Sequence, residues 1–397
     1  MNIIRNYATL MTTFGLMCLC SCATRDSIRP PLPADASFSQ GAGRGGYLLL
    51  KLHLESGEDF NCVFDTGSSS TILGKALEPK LGKRLGTDYT FGPAGVRTNG
   101  VYLAPKLYLG KTPLLTARQV MTDEMWDDMA LLGMDSLRHY CFQLDFTSNK
   151  IRFLDPDHLD TNGLGKAFPI TLTDDYHVIL HQNMLGVKKW VIDAGAPMDA
   201  IMSARDFGRA LRGQQIMPVP ATVRIKNKNS RGACIPMAEF GGNTYSNLFL
   251  EQQPQYGEDR PNMIGLNFLA RNLVTFNFPK RMMYLKQVTA EPLNFGRFLT
   301  REANSFLENL VEKGQLPGRS KNNEEIGWIP ETDESEAFPV SRTFKLPGET
   351  NDPNPQHRDV SVYYYTVVKE TKDSPWKLQK TWQVDEDARI IKEYPVP

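Results

Sequence analysis

Two short stretches of this chain read Phe64-Asp65-Thr66-Gly67-Ser68 and Ile192-Asp193-Ala194-Gly195-Ala196. Each ends an apolar run with an aspartate and follows it with small residues and a glycine. One such stretch is a turn with an acid in it; two of them bring a paired-carboxylate site within reach. Two carboxyl groups a few ångströms apart cannot both ionise cheaply, so they share a proton over a broad pH range. The ionised member can take a proton from a water held between them. The protonated member can hydrogen-bond to a carbonyl oxygen. That is hydrolytic chemistry needing neither a metal nor a covalent intermediate, and the pair titrates as a unit.

The elements around the two aspartates repeat as well. The first half runs YLLLKLHLESGEDFNCVFDTGSSSTIL and later ALLGMDSLRHYCFQLDFTSNKIRFL; the second runs YHVILHQNMLGVKKWVIDAGAPMDAIM and later NMIGLNFLARNLVTFNFPKRMMYLK. Tyr47 maps to Tyr176 with a shift of 129, Asp65 to Asp193 with 128 and Gly133 to Gly265 with 132. Features recurring in one order at nearly one spacing mark an internal repeat. Short alternating or continuous apolar runs, broken by Gly, Pro and Asn, give the body an all-β texture. The expected fold is therefore mainly β, with two homologous lobes at 47–160 and 161–290.

The remaining segments differ in texture. Residues 1–22 contain Arg5, an apolar core and then small residues and cysteine, the pattern of a secretory signal too short for a durable membrane span. Its end, Leu19-Cys20-Ser21-Cys22, resembles the bacterial lipobox. That resemblance implies lipidation at Cys22 and, with Ala23 following, a place on the periplasmic face of the outer membrane. An ordinary cleaved signal, with a secreted or periplasmic product, is the other reading. Residues 23–46, rich in Pro, Ser, Ala and Gly, read as a flexible tether. Residues 291–397 begin with helical spacing over 295–314 and continue into two or three strands, an α+β accessory domain of unnamed role.

The residues now support a resemblance to a family. Two apolar residues, then Asp-Thr-Gly-Ser, then two apolar residues and Gly about seventy positions later, resemble the aspartic proteases of the retropepsin and pepsin superfamily in single-chain, two-lobe form. The matching positions are Asp65-Thr66-Gly67-Ser68 with Leu131-Leu132-Gly133, and Asp193-Ala194-Gly195 with Met263-Ile264-Gly265. The resemblance implies that Asp65 and Asp193 activate a water for peptide-bond hydrolysis, while Thr66, Gly67, Ser68, Ala194 and Gly195 shape their loops. It implies that Thr66 bonds across to the other lobe, and that a hairpin within 90–105, with Tyr102 on it, closes over substrate. With both aspartates on one polypeptide, a monomer suffices for the site. Ala194 stands where the family has Thr, and Ala196-Pro197 where the first lobe has two serines.

Other chemistries find little purchase. With 45 basic and 45 acidic residues the formal charge is zero, which gives no reason to expect nucleic acid as a partner. The expected partner is a peptide or protein substrate, with the membrane reached only through the lipid. Three of six cysteines lie in the signal; Cys62, Cys141 and Cys234 make no complete disulfide framework. His177 and His181 read as strand surface, and Asp155, Asp157 and Asp160 lack the closing Glu of a calcium loop. No cofactor or metal is expected. Two further readings stay open: a non-catalytic pseudoprotease that binds extended peptides between the lobes, and a structural lipoprotein scaffold.

Overall fold

The computed structural model describes residues 30–92, 95–212, 217–220, 231–253, 261–316, 329–330, 338–347, 362–384 and 390–394. Cys22 and the whole 1–22 signal lie outside the described residues. The chain is mainly β, and the described residues form sheets of 13, 9 and 5 strands. In the first lobe, Leu49–Leu54 and Asp59–Phe64 form an antiparallel pair. Period-two patterning puts Leu50, Leu52 and Leu54 into the core and leaves Lys51 in solvent. Asp59–Phe64 then runs into Asp65. Ala130–Leu132 lies parallel to that strand (Leu132 opposite Phe64) and antiparallel to Ile72–Gly74, which leaves the Asp65 loop. The glycine strand thus runs between the strand that enters the aspartate loop and the strand that leaves it.

The second lobe repeats this crossing. Trp190–Asp193 pairs in parallel with Met263–Gly265, Ile192 opposite Ile264. The same strand pairs antiparallel with Ala200–Met202. Central strands covered on both faces need continuous apolar residues, which is why Cys62-Val63-Phe64 and Trp190-Val191-Ile192 show no alternation.

A shared sheet joins the lobes in the order Ala36–Ser37, Lys150–Leu154, Cys141–Asp145, Asn272–Asn277, Met282–Gln287, Lys166–Leu172. At its centre Gln143 sits opposite Thr275, and its Nε2 donates to Thr275 Oγ1 at 3.0 Å. These positions are 132 apart, the Gly133–Gly265 shift, so the pseudo-twofold axis of the repeat passes between them. Around it pack Phe142 and Phe64 (ring centroids 5.0 Å), Phe276 (5.5 Å) and Phe278 (5.6 Å). One continuous core therefore serves both lobes. Truncating Phe142 to alanine would cost about 3–5 kcal/mol.

The sheet edges correct one expectation. Ala36 lies opposite Ile151 and Phe168 opposite Met283; both members of the first pair recur at a shift of 132. The first repeat thus begins at about residue 36, inside the stretch read as a tether. Phe38 packs on Phe146 at 5.3 Å and Ala42 is fully buried. Gly- and Ser-rich composition looks like a linker, but it also suits a chain that must fold closely onto another backbone.

Beyond the lobes, helix Phe295–Glu312 and an antiparallel five-stranded sheet (Ile329–Pro330, Val340–Pro347, Val362–Lys369, Lys377–Val384, Ile390–Tyr394) form the α+β domain. It holds more strands than the sequence pattern indicates. Leu299, Ala303 and Leu307, four residues apart on one helix face, pack with Phe344, Tyr365 and Trp376 in a core separate from that of the lobes. Buried Arg342 donates to Thr300 Oγ1 at 2.8 Å and to the Gly296 carbonyl at 3.2 Å, tying sheet to helix. Lys372 pairs with Glu291 at 2.6 Å where the chain leaves the second lobe.

Candidate active site

Both aspartates close short loops on themselves. The Gly67 amide donates to Asp65 Oδ1 at 2.7 Å, and the Gly195 amide to Asp193 Oδ1 at 2.9 Å. The loops face each other so closely that each glycine lies against the opposite carboxyl. A Cβ on Gly67 would stand 2.4 Å from Asp193 Cγ, and one on Gly195 2.3 Å from Asp65 Cγ. The resemblance implies only that these glycines shape their loops. Neither has a positive φ; the approach of the other lobe's carboxyl is what excludes a side chain. The glycine strands cross just as closely, since a Cβ on Gly133 would meet the Ser70 carbonyl at 2.4 Å and one on Gly265 the Met198 carbonyl at 2.3 Å.

Burial pushes the Asp65 carboxyl above its ordinary range, against the lowering effect of the Gly67 amide. Asp193 is held well above that range, first by burial, then by the negative charge of Asp65 and the hydrogen bond between the two carboxyls. Both carboxyls are thus held above their ordinary range, and they titrate as a pair around one shared proton.

Thr66 makes the cross-lobe contact that the family resemblance implies. Its buried hydroxyl donates to the Ile192 carbonyl at 2.8 Å and accepts from the Ala194 amide at 2.9 Å. Ala194, equally buried, ends at Cβ and cannot return the pair of bonds, so the grip is one-sided. Ser68 turns its hydroxyl to the Ser70 carbonyl at 2.9 Å, serving its own loop.

A second layer lies under each loop. In the first lobe, Thr71 Oγ1 donates to Asp135 Oδ1 at 2.7 Å, and the Ala117 amide donates to Oδ2 at 3.2 Å. In the second, Asp199 Oδ2 accepts from Arg271 Nη2 and from the Phe249 amide, both at 2.8 Å. This ion pair is almost wholly buried. Arg271 also donates to the carbonyls of Ser246, Asn247 and Ala290. Sequence reasoning missed both layers. Their signal was present, because Asp135 and Asn267, like Thr71 and Asp199, occupy equivalent positions of the repeat.

A hairpin of Gly86–Gly92 and Gly95–Leu103 includes most of the stretch where a flap is expected, with tip residues 93–94 outside the described set. Tyr102 does not serve it. It is buried opposite Val120 at the hairpin base, its ring folded over Gly100. Register decided this, since residue 102 falls on the inward face of the strand. Tyr89, in the first strand of the hairpin, is an exposed aromatic, 58% accessible. Cross-strand partners Thr90 and Arg97 both reach Asp123, at 3.2 and 3.3 Å, and so fix the hairpin arm to the lobe.

The other residues considered lie elsewhere. His177 pairs with Asp175 at 2.8 Å, and Asp157 with Lys280 at 2.5 Å. Cys62, Cys141 and Cys234 are buried, and burial pushes all three thiols up, Cys141 to about 12. Thiols held protonated are not nucleophiles.

No family model and no curated protein matches the chain. Among solved structures it is similar to an aspartic proteinase from Irpex lacteus, at 12% identity and a TM-score of 0.45, over 64% of this chain and 97% of that chain.

Proposed function

We propose that the protein is an aspartic endopeptidase whose water is activated between Asp65 and Asp193. One observation carries this reading: two aspartate loops, each closed by its own glycine amide, are pressed together until each glycine touches the other's carboxyl. Nothing in a purely structural repeat calls for pressing two half-buried carboxyls face to face, which costs stability at neutral pH.

In the proposed reaction Asp65 begins ionised and Asp193 protonated. Asp65 takes one proton of the water while the water oxygen bonds to the peptide carbonyl carbon. Asp193 passes its proton to the carbonyl oxygen, giving a neutral gem-diol. Asp65 then protonates the amide nitrogen, the C–N bond breaks, and a diol proton returns to Asp193. One proton remains on the pair at the end, as at the start. Substrate lies extended between the lobes and adds main-chain hydrogen bonds as a strand does. In the same reading the chain is exported and held by a lipid on Cys22.

The test is cleavage of a mixed peptide library from about pH 3.5 to about pH 7.5 by a form starting after Cys22. Asp65→Asn and Asp193→Asn should each lower the rate by about 10³-fold. A parent that cleaves nothing across the range would leave the peptide-binding reading, which the one-sided Thr66 grip favours. Cleavage that survives Asp193→Asn alone would mean that the second carboxylate comes from another chain.

A further inference from the structure

The turn of residues 39–46 belongs to the first lobe by sequence, yet its tip rests on the second. Its base is fastened at home. The Phe38 amide donates to the Asn149 carbonyl at 2.9 Å, the Ser39 amide to the Leu49 carbonyl at 3.1 Å, and Ser39 Oγ to the Tyr47 carbonyl at 2.6 Å. Arg44 adds bonds from Nη1 to the Gln40 carbonyl at 3.0 Å and to Asn149 Oδ1 at 3.3 Å. The turn closes on itself, with the Arg44 and Gly46 amides both donating to the Gly41 carbonyl at 3.0 Å.

The tip makes three contacts across the lobe boundary. Gly43, at φ 72°, lies so near Ala270 that a Cβ there would stand 2.1 Å from the Ala270 Cβ. The Gly45 amide donates to Asn267 Oδ1 at 3.1 Å. Asn294 Nδ2 donates to the Arg44 carbonyl at 3.4 Å. Asn267 is the important partner, because its Nδ2 donates to the Pro197 carbonyl at 3.1 Å and its amide to the Met198 carbonyl at 3.1 Å. Pro197 and Met198 continue the Asp193 loop. A continuous set of hydrogen bonds therefore runs from Gly45 through one side chain to the loop that carries Asp193.

The repeat offers an internal control. Asn267 corresponds to Asp135 at the shift of 132, and Asp135 is bonded by Thr71 and Ala117 of its own lobe. Ala270 corresponds to Arg138 at the same shift. Arg138 carries the reciprocal crossing, its guanidinium 3.7 Å from the centroid of Tyr176, in the turn that opens the second lobe. Each lobe thus sends its opening turn onto the short helix beneath the other lobe's aspartate. Among the described residues, only the first lobe's turn is hydrogen-bonded into the loop system itself.

We propose that the 39–46 turn is a positioning element of the Asp193 half-site, acting through Asn267. As a claim about catalysis this rests on the peptidase reading above; as a claim about the loop it does not. It also makes residues 39–46, whose composition reads as a tether, part of the site.

The test is hydrogen exchange by the folded chain at the 193–199 amides, with the 65–70 amides as internal reference. In Asn267→Ala the protection of residues 194–196 should fall about tenfold while that of 65–70 stays as in the parent. In Arg44→Ala, which loosens the turn from the first lobe without touching the second through its side chain, the same amides should lose protection to a smaller extent. Unchanged exchange at 193–199 in both variants, or equal losses in both loops, would overturn the proposal. Should Asn267→Ala fail to fold, Arg44→Ala decides by the same measure. In peptide cleavage, Asn267→Ala should lower kcat by about tenfold or more at unchanged KM, as expected for a displaced catalytic group. A parent without cleavage but with the predicted exchange pattern would sink the peptidase reading and leave the brace standing.

Discussion

Beneath the Asp65 loop lie Thr71 and Asp135; the same two places beneath the Asp193 loop hold Asp199 and Asn267. The first pair meets directly and keeps its bonds within the lobe. In the second lobe Asp199 is bonded by Arg271 of the same lobe, whereas Asn267 takes its partner, the 39–46 turn, from the first. Arg271 also grips the Ala290 carbonyl, next to Glu291, which pairs with Lys372 of the accessory domain. The Asp65 loop is thus supported locally, whereas the Asp193 loop is supported from both ends of the lobe pair. The Thr66 grip leans the same way, since the Thr66 hydroxyl holds Ile192 and Ala194 and the side chain of Ala194 cannot bond the first lobe in return. Half-sites alike in backbone differ in where their stability comes from.

This contrast can be broken or sharpened experimentally. The largest effect is expected where the lobes are alike. Gly67→Ala and Gly195→Ala should each lower peptide cleavage by about 10²-fold or more, because a Cβ displaces the opposite carboxyl. Unequal losses would show that the loops can shift independently. Next is the second layer. Arg271→Met strands a buried carboxylate and should cost about 3–5 kcal/mol in denaturant unfolding, against about 1–3 kcal/mol for Thr71→Val, which removes one hydrogen-bonding hydroxyl. Equal costs would erase the distinction between the layers.

Thr66→Ala leaves the buried Ile192 carbonyl and Ala194 amide without the hydroxyl and should cost about 1–3 kcal/mol. Adding Ala194→Thr in that background should recover part of the loss by rebuilding the grip from the other side. No recovery would mean that the second lobe cannot supply it.

The smallest effect is a pH dependence. In the folded state Asp193 is held well above the ordinary carboxylate range. Its contribution to stability is complete below that range and is lost as pH rises through the raised folded value. Asp193→Asn should therefore raise the thermal midpoint by a few degrees at neutral pH, with the gain vanishing toward about pH 4. A gain that persists in acid would have another cause.

Much of this architecture was legible from residue types and spacing. Asp65 and Asp193 end apolar runs at matching places in a repeat, Gly133 and Gly265 follow at 68 and 72 residues, and period-two patterning marked the strands. The rest turned on partners far off in the chain. Residues 36–46 have the composition of a linker and became sheet edge and inter-lobe turn, because their partners are Ile151, Asn149 and Asn267. Tyr102 had the type and place of a flap residue, yet the register against Val120 turned it inward. Asp199 and Arg271, 72 positions apart, gave no local sign of being one buried pair.

By itself the amino-acid sequence determined the repeat, the β class and the two aspartates on their glycine loops, because these follow from local patterning and from spacing that a duplicated unit preserves. Only the tertiary structure decided that Gly67 and Gly195 must be glycine and that both aspartate carboxyls are held above their ordinary range. It also decided that the Asp193 loop is held by distant parts of the chain. Each of those depends on two lobes meeting at an axis, where distances of a few ångströms set sterics and charge alike, and no single stretch of sequence contains both sides of that contact.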